Sequence, residues 1–160
     1  MTEIRSYHDK IAELKEYLVL NRNDEEGDSW IFGHNPTIEN HLSSLNENEI
    51  NELIDEIFTW DELERHHIAD PISDTKNKFI DAQYVYGKIF LSIKDFEKLE
   101  YLIQNLAIVV WESSNKRPIN FYTDILTKVE TLNEQLNFGY NHLIRLLKGK
   151  IENEKAHNKP

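Results

Sequence analysis

The segment that decides the fold class runs from Asn46 to Phe58 and reads NENEINELIDEIF. Asn46 and Glu49 have the spacing of a capping box, in which each side chain binds the backbone N–H of the other residue. The apolar residues recur every three or four positions, which is the spacing of one helical face: Ile50, Leu53, Ile54, Ile57 and Phe58. The segment therefore predicts an amphipathic helix that begins at Asn46.

Apolar stripes with helical spacing continue on both sides and predict an all-α fold, a single irregular bundle of six to seven helices. We expect one helical domain over 1–155 and a frayed tail over 156–160. The first predicted helix covers about 2–20, the second is short and is capped by Asn35 before Pro36, and the third covers 46–58. The fourth is short, begins with a capping box at Thr59 and Glu62 and stops before Asp70-Pro71, and the fifth is capped by Asp74 or Thr75. The sixth restarts over 92–95 and extends to about 112, and the last helical stretch follows Arg117-Pro118.

The two C-terminal segments carry the strongest apolar patterns. The sixth segment, about 95–112, is apolar on nearly all sides, so we expect it to be the central helix. Its β-branched end leaves a strand there as the alternative. The last stretch forms either one long helix bent near Asn137-Phe138-Gly139 or two helices hinged there. This last stretch carries an apolar stripe that either faces the protein's own core or forms a coiled-coil seam in a homodimer. The residues of the stripe are Tyr122, Ile125, Val129, Leu132, Leu136, Leu143 and Leu146.

Composition limits the class of protein. The chain has 160 residues, 39% of them apolar, which suits one hydrophobic core. It has no cysteine, so disulfides, thiolate metal ligands and cysteine nucleophiles are excluded. The N-terminal sequence lacks the apolar core of a signal peptide, and no stretch is apolar enough to span a membrane. These features predict a cytoplasmic protein without membrane association.

The charge is distributed very unevenly along the chain. Residues 1–74 hold nineteen acidic and five basic side chains, whereas residues 75–160 hold ten acidic and thirteen basic ones. The formal charge is thus −14 in the first part and +3 in the second. Such a field favours association with a basic protein partner. Direct nucleic-acid binding is not expected for a chain with a pI of about 5.1.

The acidic residues suggest a partner-binding surface made of a loop and one helix face. We assign to it Asp24, Glu25, Glu26, Asp28, Glu49, Glu52, Asp55 and Glu56. Asp61, Glu62 and Glu64 can extend the same face. Like charges at helical spacing destabilise a helix unless a cationic partner uses them. The alternative is a solvated face that keeps the protein soluble.

An apolar run, Trp30-Ile31-Phe32, lies between this loop and the second helix. It either covers the core, or it leaves Trp30 or Phe32 exposed as the aromatic anchor of the partner. Trp30 and Phe32 therefore belong to the predicted partner-binding set.

Metal and catalytic motifs are weak. Glu64 and His67, like Glu154 and His157, have the Glu-x-x-His spacing of carboxylate metal sites in helical bundles. We interpret His66 and His67 instead as surface histidines near a helix end. No nucleophile elbow, phosphate-binding loop or zinc-protease motif occurs, so we expect neither a metal nor a cofactor.

The sequence therefore favours a non-catalytic binding protein. The leading hypothesis is an acidic inhibitor of a basic partner, acting as an immunity protein that neutralises a nuclease-type toxin or as a nucleic-acid mimic. A helical scaffold that self-associates through its C-terminal helix is the alternative. A metal-carboxylate enzyme is a third hypothesis.

Overall fold

A computed structural model describes residues 7–24, 29–111, 113–136 and 139–157. These residues form eight α-helices and no strand, which confirms the all-α class. The number of helices exceeds the predicted six to seven, because the stretch after Arg117-Pro118 forms two helices rather than one. The helices are α1 Tyr7–Asn21, α2 Asn35–Ser43, α3 Glu47–Ile57, α4 Glu62–Asp74, α5 Ala82–Ser92, α6 Phe96–Ile103, α7 Phe121–Leu136 and α8 Asn141–His157. A π-helical turn, Ser29–His34, precedes α2, and a 3-10 helix, Leu106–Val110, follows α6.

The centre of the bundle is the pair α4 and α5. Helix α4 packs against α1, α2, α5 and α6, while α5 packs against α4, α6, α7 and the 3-10 helix. The sixth helix was expected to be central, and this prediction is wrong, because α6 ends at Ile103. The β-branched residues after it form the 3-10 helix rather than a continuation or a strand, in keeping with their low helix propensity.

Helix α4 continues through Pro71, although the sequence predicted an end before it. A proline inside a helix removes one backbone hydrogen bond and costs about 3 kcal/mol. Pro71 and its neighbours Ile68 and Ile72 are all buried, so apolar packing offsets this cost. The longer helix carries two carboxylates, Asp70 and Asp74, along its last turns.

The capping signals in the sequence locate the start of some helices but not of others. The capping box at the start of α3 is confirmed: Asn46 Oδ1 accepts from Glu49 N at 2.9 Å, and Glu49 Oε1 accepts from Asn46 N at 3.0 Å. The restart before α6 is also confirmed, since Asp95 Oδ1 accepts from Lys98 N. The N-cap of helix α2 is His34 rather than the predicted Asn35, because the π-helical turn continues directly into the helix.

Two other predicted caps are wrong. The residue at the N-cap of α4 is Asp61 rather than Thr59, whose hydroxyl instead donates to Glu56 O. The N-cap of α5 is Asp81 rather than Asp74 or Thr75. The Asn77 side chain donates to two carbonyls, Leu42 O in the last turn of α2 and Leu45 O just after it, and so ties the segment before α5 to α2.

Helices α7 and α8 are two separate helices that pack against each other. Lys150 Nζ, in the second half of α8, lies 5.6 Å from the Tyr122 ring at the start of α7, so the pair is antiparallel. Asn137 and Phe138 lie outside the described residues. Leu143 is buried as predicted, whereas Leu146 is 37% exposed and Leu147, four residues after Leu143 on the same helical face, is buried in its place.

Among the described residues, no helix combines the length and apolar character of a membrane span.

Candidate functional site

The apolar run before α2 divides between the core and the surface. Trp30 is buried; its Nε1 donates to Asp24 O at 3.2 Å, and its ring stacks on that of His67 with centroids 3.9 Å apart. Phe32 is 76% exposed. Residues two positions apart on a helical turn do not share a face, so one cannot be buried by the same neighbours as the other. Trp30 thus covers the core, and Phe32 is the exposed aromatic residue.

The predicted acidic helix face is not a single exposed surface. Glu49 is 3% exposed, because its carboxylate closes the capping box and lies 3.5 Å from Lys10 Nζ of α1. The prediction that Glu49 lies on the solvated face of the helix is therefore wrong. Asp55 is exposed, and Glu52 and Glu56 are half-buried.

The other predicted acids also differ in their surroundings. Asp24 Oδ2 lies 2.7 Å from His34 Nε2, and Glu25, Glu26 and Asp28 lie outside the described residues. Glu62 accepts hydrogen bonds from the backbone N–H groups that begin the α6 segment. Glu64 is buried, with Oε1 at 3.2 Å from Arg22 Nε. Glu62 and Glu64 thus serve the packing of α4 rather than an extended acidic surface.

His66 and His67 are buried, 3% and 7% exposed, and not surface residues near a helix end. The prediction is wrong because α4 continues through Pro71, which leaves both histidines in the middle of a packed helix. Burial, together with the charges of His66, Lys98 and His34, lowers the pKa of His67 to about 3. His67 is accordingly neutral near pH 7.

A groove of about 560 Å³ lies between the π-helical turn with α2, the end of α4, and α6 with the 3-10 helix. Its lining includes three carboxylates and several apolar side chains, namely Glu39, Asp70, Asp74, Ile31, Ile108 and Trp111. Ile31 is 54% exposed and Trp111 is 61% exposed. No lysine or arginine of the described residues lines this groove, which we call the acidic groove.

The carboxylates of the acidic groove interact with one another. Burial raises the pKa of Asp74, and the nearby Asp70 carboxylate raises it further. The two residues are four positions apart on α4, a spacing at which like charges repel. A bound cation would relieve this repulsion.

A smaller cavity of about 80 Å³ adjoins the acidic groove. The two share Ile31, Asn35, Asp70 and Tyr101 as lining residues. The rest of the cavity wall consists of the aromatic rings of Trp30, His66 and His67. Tyr101 donates its hydroxyl hydrogen to Asp70 Oδ2 at 2.6 Å, which fixes the carboxylate at the boundary between cavity and groove.

Sequence reasoning missed most of the groove. Glu39, Asp74 and Tyr101 were not assigned to any site, and Asp70 was interpreted only as the end of a helix. The spacing of Asp70 and Asp74 was a usable signal, but it applied only if the helix continued past Pro71. Trp111 was assigned to a buried helix, whereas it follows the 3-10 helix and is largely exposed.

The described residues include no group of three or more histidine, aspartate or glutamate side chains that could hold a metal ion. Glu154 lies 3.5 Å from Lys150 Nζ, and the His157 side chain is outside the described residues. Comparisons of the chain with protein-family models, curated proteins and solved structures found no match.

Proposed function

We propose that this chain is a non-catalytic, cytoplasmic binding protein, an acidic inhibitor whose groove takes up a basic segment of a partner protein. The observation that supports this best is the lining of the acidic groove. Carboxylates of Glu39, Asp70 and Asp74 line a space that no lysine or arginine of the described residues enters. Opposite charges brought from a partner would neutralise these carboxylates and fix the register of the complex.

Exposed apolar residues at the groove supply the second requirement of a tight interface. Trp111 and Ile31 line it, and Phe32 follows Ile31 in the π-helical turn. Binding energy in protein interfaces concentrates in aromatic residues surrounded by polar ones. Large exposed aromatic side chains beside carboxylates thus suit a partner with both cationic and apolar groups.

The whole-chain charge supports the same proposal. A formal charge of −11 steers a basic partner toward the protein before contact is made. Rapid capture is what an inhibitor of a toxic enzyme requires, and an immunity protein directed at a nuclease-type toxin would have this profile. A nucleic-acid mimic would use the same carboxylates against a nucleic-acid-binding protein.

The scaffold hypothesis has less support. It requires the C-terminal stripe as a seam between chains, yet Ile125, Val129, Leu143 and Leu147 are buried within a single chain. The proposal of an inhibitor therefore stands ahead of a self-associating adaptor.

The test compares two double variants that change the net charge equally. Glu39→Gln with Asp74→Asn removes charge from the acidic groove, whereas Asp124→Asn with Glu134→Gln removes it from the exposed side of α7. We expect the first variant to weaken binding of an arginine- and lysine-rich peptide by about tenfold and the second by less than about threefold, measured by surface plasmon resonance. Equal losses would show that only net charge matters, and this result would contradict the groove as the binding site.

A further inference from the structure

Two side chains that line the cavity beside the acidic groove carry polar atoms that lack hydrogen-bond partners. Asp70 Oδ1 and His67 Nδ1 are both buried, and neither has a partner among the described residues. The whole His67 side chain is more than nine-tenths buried and lines the cavity. Leaving a buried polar atom unsatisfied costs about 1–3 kcal/mol, and such atoms are uncommon in folded proteins. Two such side chains in the lining of one cavity point to a site for a hydrogen-bonding ligand.

The walls of the cavity restrict what this ligand can be. Trp30 is stacked on His67, and the His66 and Tyr101 ring centroids are 5.0 Å apart. Aromatic faces attract cations, and the Asp70 carboxylate adds a formal negative charge at the entrance from the acidic groove. Rings around a single carboxylate favour a cation with a flat, partly apolar surface.

We propose that this cavity receives the guanidinium group of an arginine side chain from the partner protein. The inference rests on the proposed function and names the group that anchors the basic segment. The guanidinium would donate a hydrogen bond to Asp70 Oδ1 while one of its faces lies against the aromatic wall. The aliphatic stem would then pass into the acidic groove, where Glu39 and Asp74 receive neighbouring cations of the same segment.

Arginine suits the cavity better than lysine does. A guanidinium is planar, stacks on aromatic rings and is more weakly hydrated than an ammonium, so it loses less hydration energy on entering the cavity. The volume of about 80 Å³ admits one such group or two to three waters, taking about 30 Å³ for each water. A lysine ammonium or bound water alone are the other possible occupants, and the experiment separates them.

The protonation state of His67 agrees with a cationic ligand. Because burial and nearby charges lower its pKa to about 3, the ring is uncharged near pH 7 and does not repel a cation. A neutral imidazole also keeps one ring nitrogen as a hydrogen-bond acceptor. A guanidinium N–H can therefore be accepted by the carboxylate and the imidazole together.

The experiment titrates the intact protein with N-acetyl-arginine amide and follows the ring resonances of His67 and Trp30 by NMR. N-acetyl-citrulline amide has nearly the same shape without the charge, and N-acetyl-lysine amide has the charge on an ammonium. We expect saturable shifts with the arginine compound, binding about tenfold weaker with the lysine compound, and no saturable shift with the citrulline compound. These comparisons use the unaltered protein, so they do not depend on a variant that folds.

A pair of single variants then locates the site. Asp70→Asn keeps an acceptor for Tyr101 and removes the charge, and Asp55→Asn removes one charge from exposed α3. Arginine binding should weaken about tenfold in the first variant and stay within about twofold in the second. Equal binding of citrulline, which would show that charge is not recognised, or unchanged binding in Asp70→Asn, which would place the arginine elsewhere, would overturn the proposal. The absence of saturable shifts with every compound would also overturn it and would indicate water as the occupant.

The same data separate this inference from the proposed function. If the basic peptide binds through Glu39 and Asp74 while the arginine compound does not reach His67, only the cavity assignment fails. If the arginine compound binds the cavity and no basic peptide binds the groove, the inhibitor proposal fails and the cavity assignment stands.

Discussion

At the scale of single residues, two buried charged side chains, Glu64 and Arg117, have specific opposite partners. Glu64 lies against Arg22, and Arg117, whose side chain is 3% exposed, binds both oxygens of Asp81. Asp81 also accepts from Tyr84 N at the start of α5, so one carboxylate joins this helix to the segment before α7. Removing one member of a buried pair leaves a charge without compensation. These residues are therefore fixed by packing and unsuited to partner binding.

The first prediction concerns the division of roles between Trp30 and Phe32. Trp30→Ala should lower the free energy of unfolding by about 3–5 kcal/mol, because it removes a large buried ring and its stacking on His67. Phe32→Ala is the matched control and should change stability by less than about 0.5 kcal/mol, since the ring is largely exposed. Urea unfolding measures both. A small effect at Trp30 would mean that this ring does not cover the core.

At the scale of secondary-structure elements, a side chain from one helix completes the end of another. Lys128 of α7 donates from Nζ to Phe90 O, Leu91 O and Ile93 O at 2.8, 3.0 and 2.5 Å, so it satisfies carbonyls at the end of α5. The last carbonyls of a helix have no partner within the helix itself. Gly87 allows the same pair of helices to pack closely, because an added Cβ would lie 2.6 Å from Phe121 Cζ.

The second prediction tests this contact between α5 and α7. Lys128→Met keeps the aliphatic stem and removes the donors, so it should destabilise the protein by about 1–3 kcal/mol through unsatisfied carbonyls. Lys148→Met, on the exposed side of α8, is the control and should be nearly neutral. Thermal and urea unfolding of the two variants give the comparison. Equal stability of both would remove the capping role from Lys128.

At the scale of the whole molecule, the two halves of the chain meet through α4 and α5. Helices α1 and α2 pack on α4, whereas α7 packs on α5. His67 lies in this central region, and its ring contacts Trp30 from the turn before α2. Protonating His67 would therefore affect the stability of the entire fold rather than of one loop.

The third prediction is a dependence of global stability on pH. The folded-state pKa of His67 is lowered to about 3 from an ordinary value of 6.5, so the unfolded chain binds its proton first on acidification. The free energy of unfolding should thus decrease as the pH falls from about 6.5 to 5, before most carboxylates titrate. The raised pKa of Asp74 acts in the opposite direction and mainly at lower pH. His67→Gln should have a shallower slope in this range by urea unfolding, and an unchanged slope would contradict the assignment.

Features that depend on residues close in sequence were predictable from the sequence alone. The all-α class and the start of α3 at Asn46 follow from helical spacing and from a capping box that spans three residues. The uneven charge, and with it the expectation of a basic partner, is likewise a property of composition. Such signals are local, so they do not need knowledge of how the helices pack.

The tertiary structure decided which residues are buried and where the candidate site lies. The sequence pattern places Glu49 on the exposed face of its helix, yet Lys10 of another helix helps to bury it. His67 is buried because α4 continues through Pro71. The acidic groove combines Glu39 of α2, Asp70 of α4 and Trp111 after the 3-10 helix, which are far apart in sequence. Contacts of this kind are made by packing between distant segments, and helical periodicity carries no information about them because it specifies only the face of each helix.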